Sequence, residues 1–127
     1  METGKGEWIL IVEDDWEISS LLEVILCGVG YKTVVANDGE EAESLYKSHQ
    51  PPINLVLSDL GLPKLGGVEL FEKLIIYDPK IKFIASSGFS DLTLASELKS
   101  KGVKEFIAKP YLPENLFQTI RKILDTD

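Results

Sequence analysis

At 127 residues the chain is long enough for one compact core and too short for two. With 44% hydrophobic and 27% charged residues, ten glycines and six prolines, its composition is globular and excludes disordered and fibrous classes. No apolar run approaches the roughly 20 residues of a membrane span, Met1 to Glu7 lacks the parts of a secretion signal, and a net charge of −8 disfavours direct nucleic-acid contact. The expectation is one soluble, cytoplasmic domain over 1–127, structured from about 8 to 125 after a disordered start at 1–6, with cations or basic surfaces as partners.

Short β-branched or leucine-rich runs alternate with longer amphipathic ones, a pattern that predicts five parallel strands interleaved with five helices. The strands are expected at Trp8 to Val12, Lys32 to Ala36, Ile53 to Ser58, Lys82 to Ser86 and Glu105 to Ala108. A first helix should open at Asp14 or Asp15, bury Ile18, Leu21, Leu22, Ile25 and Leu26, and stop at Gly28 and Gly30. A second, capped by Asn37 or Asp38, runs to Ser48 ahead of Pro51 and Pro52. Val68 to Tyr77 forms the third, ending before Asp78 and Pro79. Leu92 to Lys101, with a weak stripe of Leu94, Ala95 and Leu98, forms the fourth. The last starts at Pro113 and buries Leu116, Phe117, Ile120, Ile123 and Leu124. The lone cysteine, Cys27, reads as core, and His49 reads as a surface loop residue.

In an open parallel sheet ligands bind beyond the carboxyl ends of the strands. Those positions here hold Glu13, Asp14 and Asp15 after the first strand, Ser58 and Asp59 at the third, Ser86, Ser87 and Gly88 at the fourth, and Lys109 and Pro110 at the fifth. Carboxylates crowded into a cleft repel one another unless a cation neutralises them. Oxygen donors without histidine or cysteine suit Mg²⁺, with Mn²⁺ as the alternative. Asp15 and Asp59 are the expected direct ligands, with Asp14 binding directly or through water. The Asp59 oxygen could then attack phosphorus in line, while Ser87 and Lys109 hold the other phosphoryl oxygens.

The acidic pair Asp14 and Asp15, Asp59 within Leu-Ser-Asp-Leu-Gly-Leu-Pro, Ser87 followed by Gly88, and Lys109-Pro110 together resemble the receiver domains of two-component response regulators, over essentially the whole chain. The resemblance implies a flavodoxin-like (βα)5 fold, a doubly wound five-stranded parallel sheet in strand order 2-1-3-4-5. It implies Asp59 as phosphoacceptor, Mg²⁺ on Asp14, Asp15, Asp59 and the Gly61 carbonyl, and Lys109 on the acyl phosphate. Ser87 and Phe106 match the family's switch pair, which remodels the surface around the fourth helix, fifth strand and fifth helix. Implied partners are a histidine kinase or histidine phosphotransfer domain and a downstream protein or attached domain, with a homodimer as a further possibility. Leu62, Ser87 and Gly88 depart mildly from the commoner family residues, and Ser-Ser-Gly-Phe at 86–89 is similar to receivers of hybrid sensor kinases. Gly61 and Phe89 would flank the cleft and set how readily water reaches an acyl phosphate.

Plainer readings compete with these. Asp14 could simply cap the first helix, Phe106 could simply be core, and Trp16 stands beside the acidic run without a necessary role. A pseudo-receiver scaffold would keep the fold without phosphorylation, and a hydrolase would need a further acid or base and a substrate cap. The four functional groups argue against the first, and this short chain offers neither feature of the second. A self-modifying acceptor and not a turnover enzyme is expected.

Overall fold

The computed structural model describes residues 3–61, 64–88, 92–103 and 105–126. Five strands, β1 (Trp8–Val12), β2 (Lys32–Ala36), β3 (Leu55–Asp59), β4 (Phe83–Ser87) and β5 (Glu105–Ala108), alternate with five helices. These are α1 (Trp16–Cys27), α2 (Gly39–Ser48), α3 (Gly67–Tyr77), α4 (Leu92–Ser100) and α5 (Pro113–Leu124). The strands form one parallel sheet in the order β2-β1-β3-β4-β5, the flavodoxin-like arrangement expected. β3 and β4 begin later than the sequence pattern suggested, and each ends one residue further on, so Asp59 and Ser87 are the terminal residues of their strands.

Alternation along the strands feeds two cores. Leu10 and Val12 of β1 face one side with Val56, Ala85 and residues of α2, α3 and α4. Ile9 and Ile11 face the other with Leu57, Ile84, Ile107 and residues of α1 and α5. The central strands are apolar because both faces are covered. β2, at an edge, is less buried.

Helix phase explains two departures from expectation. Leu22 and Leu26, four residues apart, lie against the sheet, and Ser19 shares their face with its hydroxyl donating to the Trp16 carbonyl. Leu21 is turned by about 100° from Leu22 and is 59% exposed. Cys27, expected in the core, ends α1 on its exposed side, its Sγ 3.5 Å from Thr33 Oγ1. The start of the chain is also held more firmly than expected. Gly4 and Gly6 donate backbone N–H groups to the Val29 and Gly30 carbonyls, while Arg121 donates to the Thr3 carbonyl and to Glu7 Oε2. Met1 and Glu2 lie outside the described residues. Among the described residues no helix is long and apolar enough to cross a membrane.

Asp38 caps α2 by accepting from the Glu41 N–H. The next residue, Gly39, lies against the loop that follows the end of β3. A Cβ there would stand 2.0 Å from the Leu65 carbonyl oxygen, so backbone touches backbone and no flexible side chain can give way. Gly39→Ala is therefore expected to destabilise the fold by about 1–3 kcal/mol, the usual cost of overpacking. Urea unfolding checks this, and an unchanged midpoint would mean that α2 is free to shift.

Candidate functional site

The chain leaves β1 for one edge of the sheet and returns to the other side of β1 as β3, so the order reverses between these strands and opens a crevice at their carboxyl ends. Glu13 and Asp14 follow β1 on one wall, and Asp59 ends β3 on the other. One carboxylate oxygen from each of Glu13, Asp14 and Asp59 lies within 4.8 Å of the other two. Asp14 is exposed, whereas Glu13 and Asp59 are 2% and 7% exposed. The fifth strand supplies the counter-charge: Lys109 Nζ donates to Asp59 Oδ1 at 2.6 Å and lies 3.9 Å from Glu13 Oε1.

The membership of this cluster differs from the one expected from the sequence. Asp15 turns to the N-terminus of α1, where its Oδ1 accepts from the Glu17 N–H, and its own N–H donates to Glu13 Oε2. Helix capping thus falls to Asp15, not Asp14, and Glu13 in place of Asp15 completes the cluster of three carboxylates. The signal was present in the strand pattern. Ile9 and Ile11 share one face of β1, and continuing that alternation carries Glu13 to the same face, as the extended strand dictates.

Buried among like charges, Glu13 carries the electrical strain of the site. Burial raises its pKa from 4.5 to about 6, aided by the Asp59 charge and opposed by the Asp15 N–H and Lys109. Its Oε1 is buried without a hydrogen-bond partner among the described residues. Burial works against the Lys109 charge, but the Asp59 hydrogen bond and the two carboxylates outweigh it and hold the ammonium above its usual range. Fully ionised, three carboxylates against one ammonium leave an excess of two negative charges. An all-oxygen donor set with that excess and one orphaned buried oxygen fits a hard divalent cation.

The other predicted residues within the described structure lie on β4, on β5 and in the loop after β3. Ser87, half-buried, follows Ser86, which pairs in register with Asp59, and its carbonyl accepts from the Lys109 N–H at 3.0 Å. Phe106 packs partly buried on the α2–α4 side, opposite the face of Ile107. Gly61 is exposed, and a Cβ there would stand 3.9 Å from Asp59 Oδ2, so its backbone borders the carboxylate. Leu62 and Phe89 lie outside the described residues. Tyr111 went unnoticed in the sequence, and its hydroxyl donates to Ser86 Oγ at 2.7 Å.

The sequence profile of the response regulator receiver domain matches residues 9–121. The chain belongs to that family. This receiver domain is 38% identical over 120 residues to a probable transcriptional regulator, ycf27, of Porphyridium aerugineum, an alignment covering 93% of the chain and 48% of the regulator. It therefore spans about half the length of that relative. It is 30% identical over 119 residues to sporulation initiation phosphotransferase F of Bacillus subtilis, covering 94% of each. The crystal structure of a CheY-like response regulator receiver domain protein from Methanospirillum hungatei JF-1 is similar at a TM-score of 0.86 and 32% identity, again covering 94% of each chain.

The folded receiver holds the Glu13 proton up to about pH 6, whereas an unfolded chain releases it near 4.5. Stability of the metal-free protein should therefore fall as pH rises through that window, by about 2 kcal/mol once Glu13 is ionised. Glu13→Gln in EDTA is expected to raise the urea midpoint at neutral pH and to flatten the pH profile between these values. A profile unchanged by the substitution would show that the carboxylate is solvated.

Proposed function

We propose that this receiver domain accepts a phosphoryl group on Asp59 from the phosphohistidine of a histidine kinase or histidine phosphotransfer domain, in a Mg²⁺-dependent reaction in the cytoplasm. The observation that carries the reading is the Lys109–Asp59 contact beside the orphaned Glu13 oxygen. A nucleophilic carboxylate is thereby paired with a cation able to follow the negative charge onto a phosphoryl oxygen. Glu13, Asp14 and Asp59, with the Gly61 carbonyl, would hold the metal, and Mn²⁺ would serve in its place. Once bound, the cation neutralises the excess negative charge and screens the incoming phosphoryl group.

The protein's own groups do the rest. An Asp59 oxygen attacks phosphorus as the P–N bond of the donor breaks and the electron pair returns to the imidazole ring. Lys109 shifts its ammonium from the free carboxylate to the oxygens of the new acyl phosphate, and the Ser87 hydroxyl binds another. With Ser87 so engaged, Phe106 repacks and alters the surface around α4, β5 and α5. That change is read by an attached domain or a separate protein. The group is taken up once and lost slowly, which is signalling and not turnover.

The donor needs a surface beside Asp59, and exposed apolar side chains mark one. Trp16 opens α1 and is 76% exposed, and Leu112 precedes α5 and is 61% exposed. Both helices cover the same face of the sheet. Large apolar groups left in water at helix starts beside a reactive carboxylate suit an apolar helical surface around a donor histidine.

Incubation with acetyl phosphate and Mg²⁺ is expected to add one phosphoryl group by intact mass, abolished by EDTA and by Asp59→Asn. A folded protein that stays unmodified and does not bind beryllofluoride would instead be a pseudo-receiver scaffold. Trp16→Ala should slow transfer from a phosphohistidine protein by about tenfold, as loss of an aromatic anchor does. Uptake from acetyl phosphate should be unchanged, and an equal loss with both donors would place Trp16 in the chemistry and not in docking.

A further inference from the structure

The segment carrying Lys109 is fastened to β4 on both sides of the lysine. Ahead of the side chain, the Lys109 N–H donates to the Ser87 carbonyl and extends the β4–β5 ladder by one bond beyond Ala108. Beyond it, after Pro110, the Tyr111 hydroxyl donates to Ser86 Oγ at 2.7 Å. Ser86 is fully buried and is the register partner of both Asp59 and Ile107. The Tyr111 ring packs against the core beneath, with Ile107 and Leu116 among its members. One serine thus sits beside the nucleophile in the sheet and anchors the turn that delivers the ammonium.

Taking Asp59 as the phosphoacceptor, we propose that Tyr111 is a positioning residue for phosphoryl transfer, its hydroxyl bond to Ser86 clamping the Lys109-Pro110-Tyr111 turn so that the Lys109 ammonium is held at Asp59. A lysine side chain has many rotamers, and an ammonium is a point charge without the shape that fixes an arginine. Its placement depends on where its backbone is held. Pro110 offers no N–H to the ladder, so the backbone anchor at Lys109 cannot be repeated at the next residue. A side-chain bond from Tyr111 supplies the second point. Burial raises the pKa of the Tyr111 hydroxyl, which therefore stays protonated and a donor at neutral pH. Preorganisation of this kind acts on the rate with which the phosphoryl group is received, because the charge is already where the transition state needs it.

Tyr111→Phe removes the oxygen and keeps the ring, and Ser86→Ala removes the acceptor without touching the ring. The rate constant for Asp59 phosphorylation at saturating acetyl phosphate is expected to fall about two- to tenfold in each, the span one neutral hydrogen bond supports. The double variant should be no slower than either single one, with the Mg²⁺ concentration for half-maximal rate unchanged. In a Lys109→Ala background, followed over longer incubations, Tyr111→Phe should have no further effect, since the hydroxyl acts through the lysine. Single variants as fast as wild type, a shifted Mg²⁺ requirement, or an undiminished loss in the Lys109→Ala background would each overturn the proposal. A wild-type protein that takes up no phosphoryl group would overturn the reading of Asp59 itself, which sets that failure apart from failure of the clamp.

Discussion

Everything at the working edge of this domain turns on the excess of carboxylates over ammonium in the crevice between β1 and β3. At about 4 Å, the separation of Glu13 and Lys109, two unit charges interact by about 1 kcal/mol in water and about 4 kcal/mol in surroundings of intermediate polarity. One lysine cannot satisfy three acids at once. Its close contact is with Asp59, while Glu13 keeps a buried oxygen with no hydrogen-bond partner among the described residues and a raised pKa. A fold does not hold such a cluster unless the rest of the structure is rigid enough to impose it. The two apolar layers supply that rigidity. β3, which presents Asp59, is buried along its whole length, and β1 and β4 on either side of it are buried in all but one residue.

The close approach of α2 to the loop after β3 belongs to the same constraint. Gly39 lets the α2 start press against Leu65, and Lys64 ion-pairs with the α2 cap residue Asp38 at 3.5 Å. The segment leaving Asp59 is thus braced from the α2–α4 side, while Lys109 is braced from β4. The two braces act on the groups that flank Asp59. Both limit how far the groups around it can drift.

Much of this was legible in the residues. Element types and order followed from apolar runs set apart by amphipathic stretches, and the helix limits from Asp38 at a cap, Gly28 at a stop and Pro113 at a start. Asp59, Ser87 and Lys109 could be placed because each ends or follows a strand. What failed was phase. Three consecutive acids leave the member facing the cleft open until the pleat of β1 is carried through them, and Asp15, ahead of Glu17, is as good a cap as it is a ligand. Leu21 and Cys27 were assigned by their apolar character, when the positions four apart, Leu22 and Leu26, defined the buried stripe. The Tyr111–Ser86 bond spans 25 residues and arises only when the β4–β5 register and the turn around Pro110 are fixed together. Nothing local in the sequence announces it.

Ser86 and Ser87 show how two neighbouring hydroxyls can serve opposite sides of one sheet. Strand alternation directs Ser86 with Ile84 toward the α1–α5 layer and Ser87 with Ala85 toward the α2–α4 layer. The first is already engaged, bonded to Tyr111 beside the register position of Asp59. The second ends the strand half-buried on the side where Phe106 packs against the layer containing α4. On the proposed reading, a phosphoryl group on Asp59 that draws Ser87 inward would act on the layer of Phe106, while the bond at Ser86 would keep the lysine turn in place. One face would then move while the other keeps the geometry of the site. The division follows from the two-residue repeat of a strand enclosed on both sides, which places consecutive side chains in separate cores.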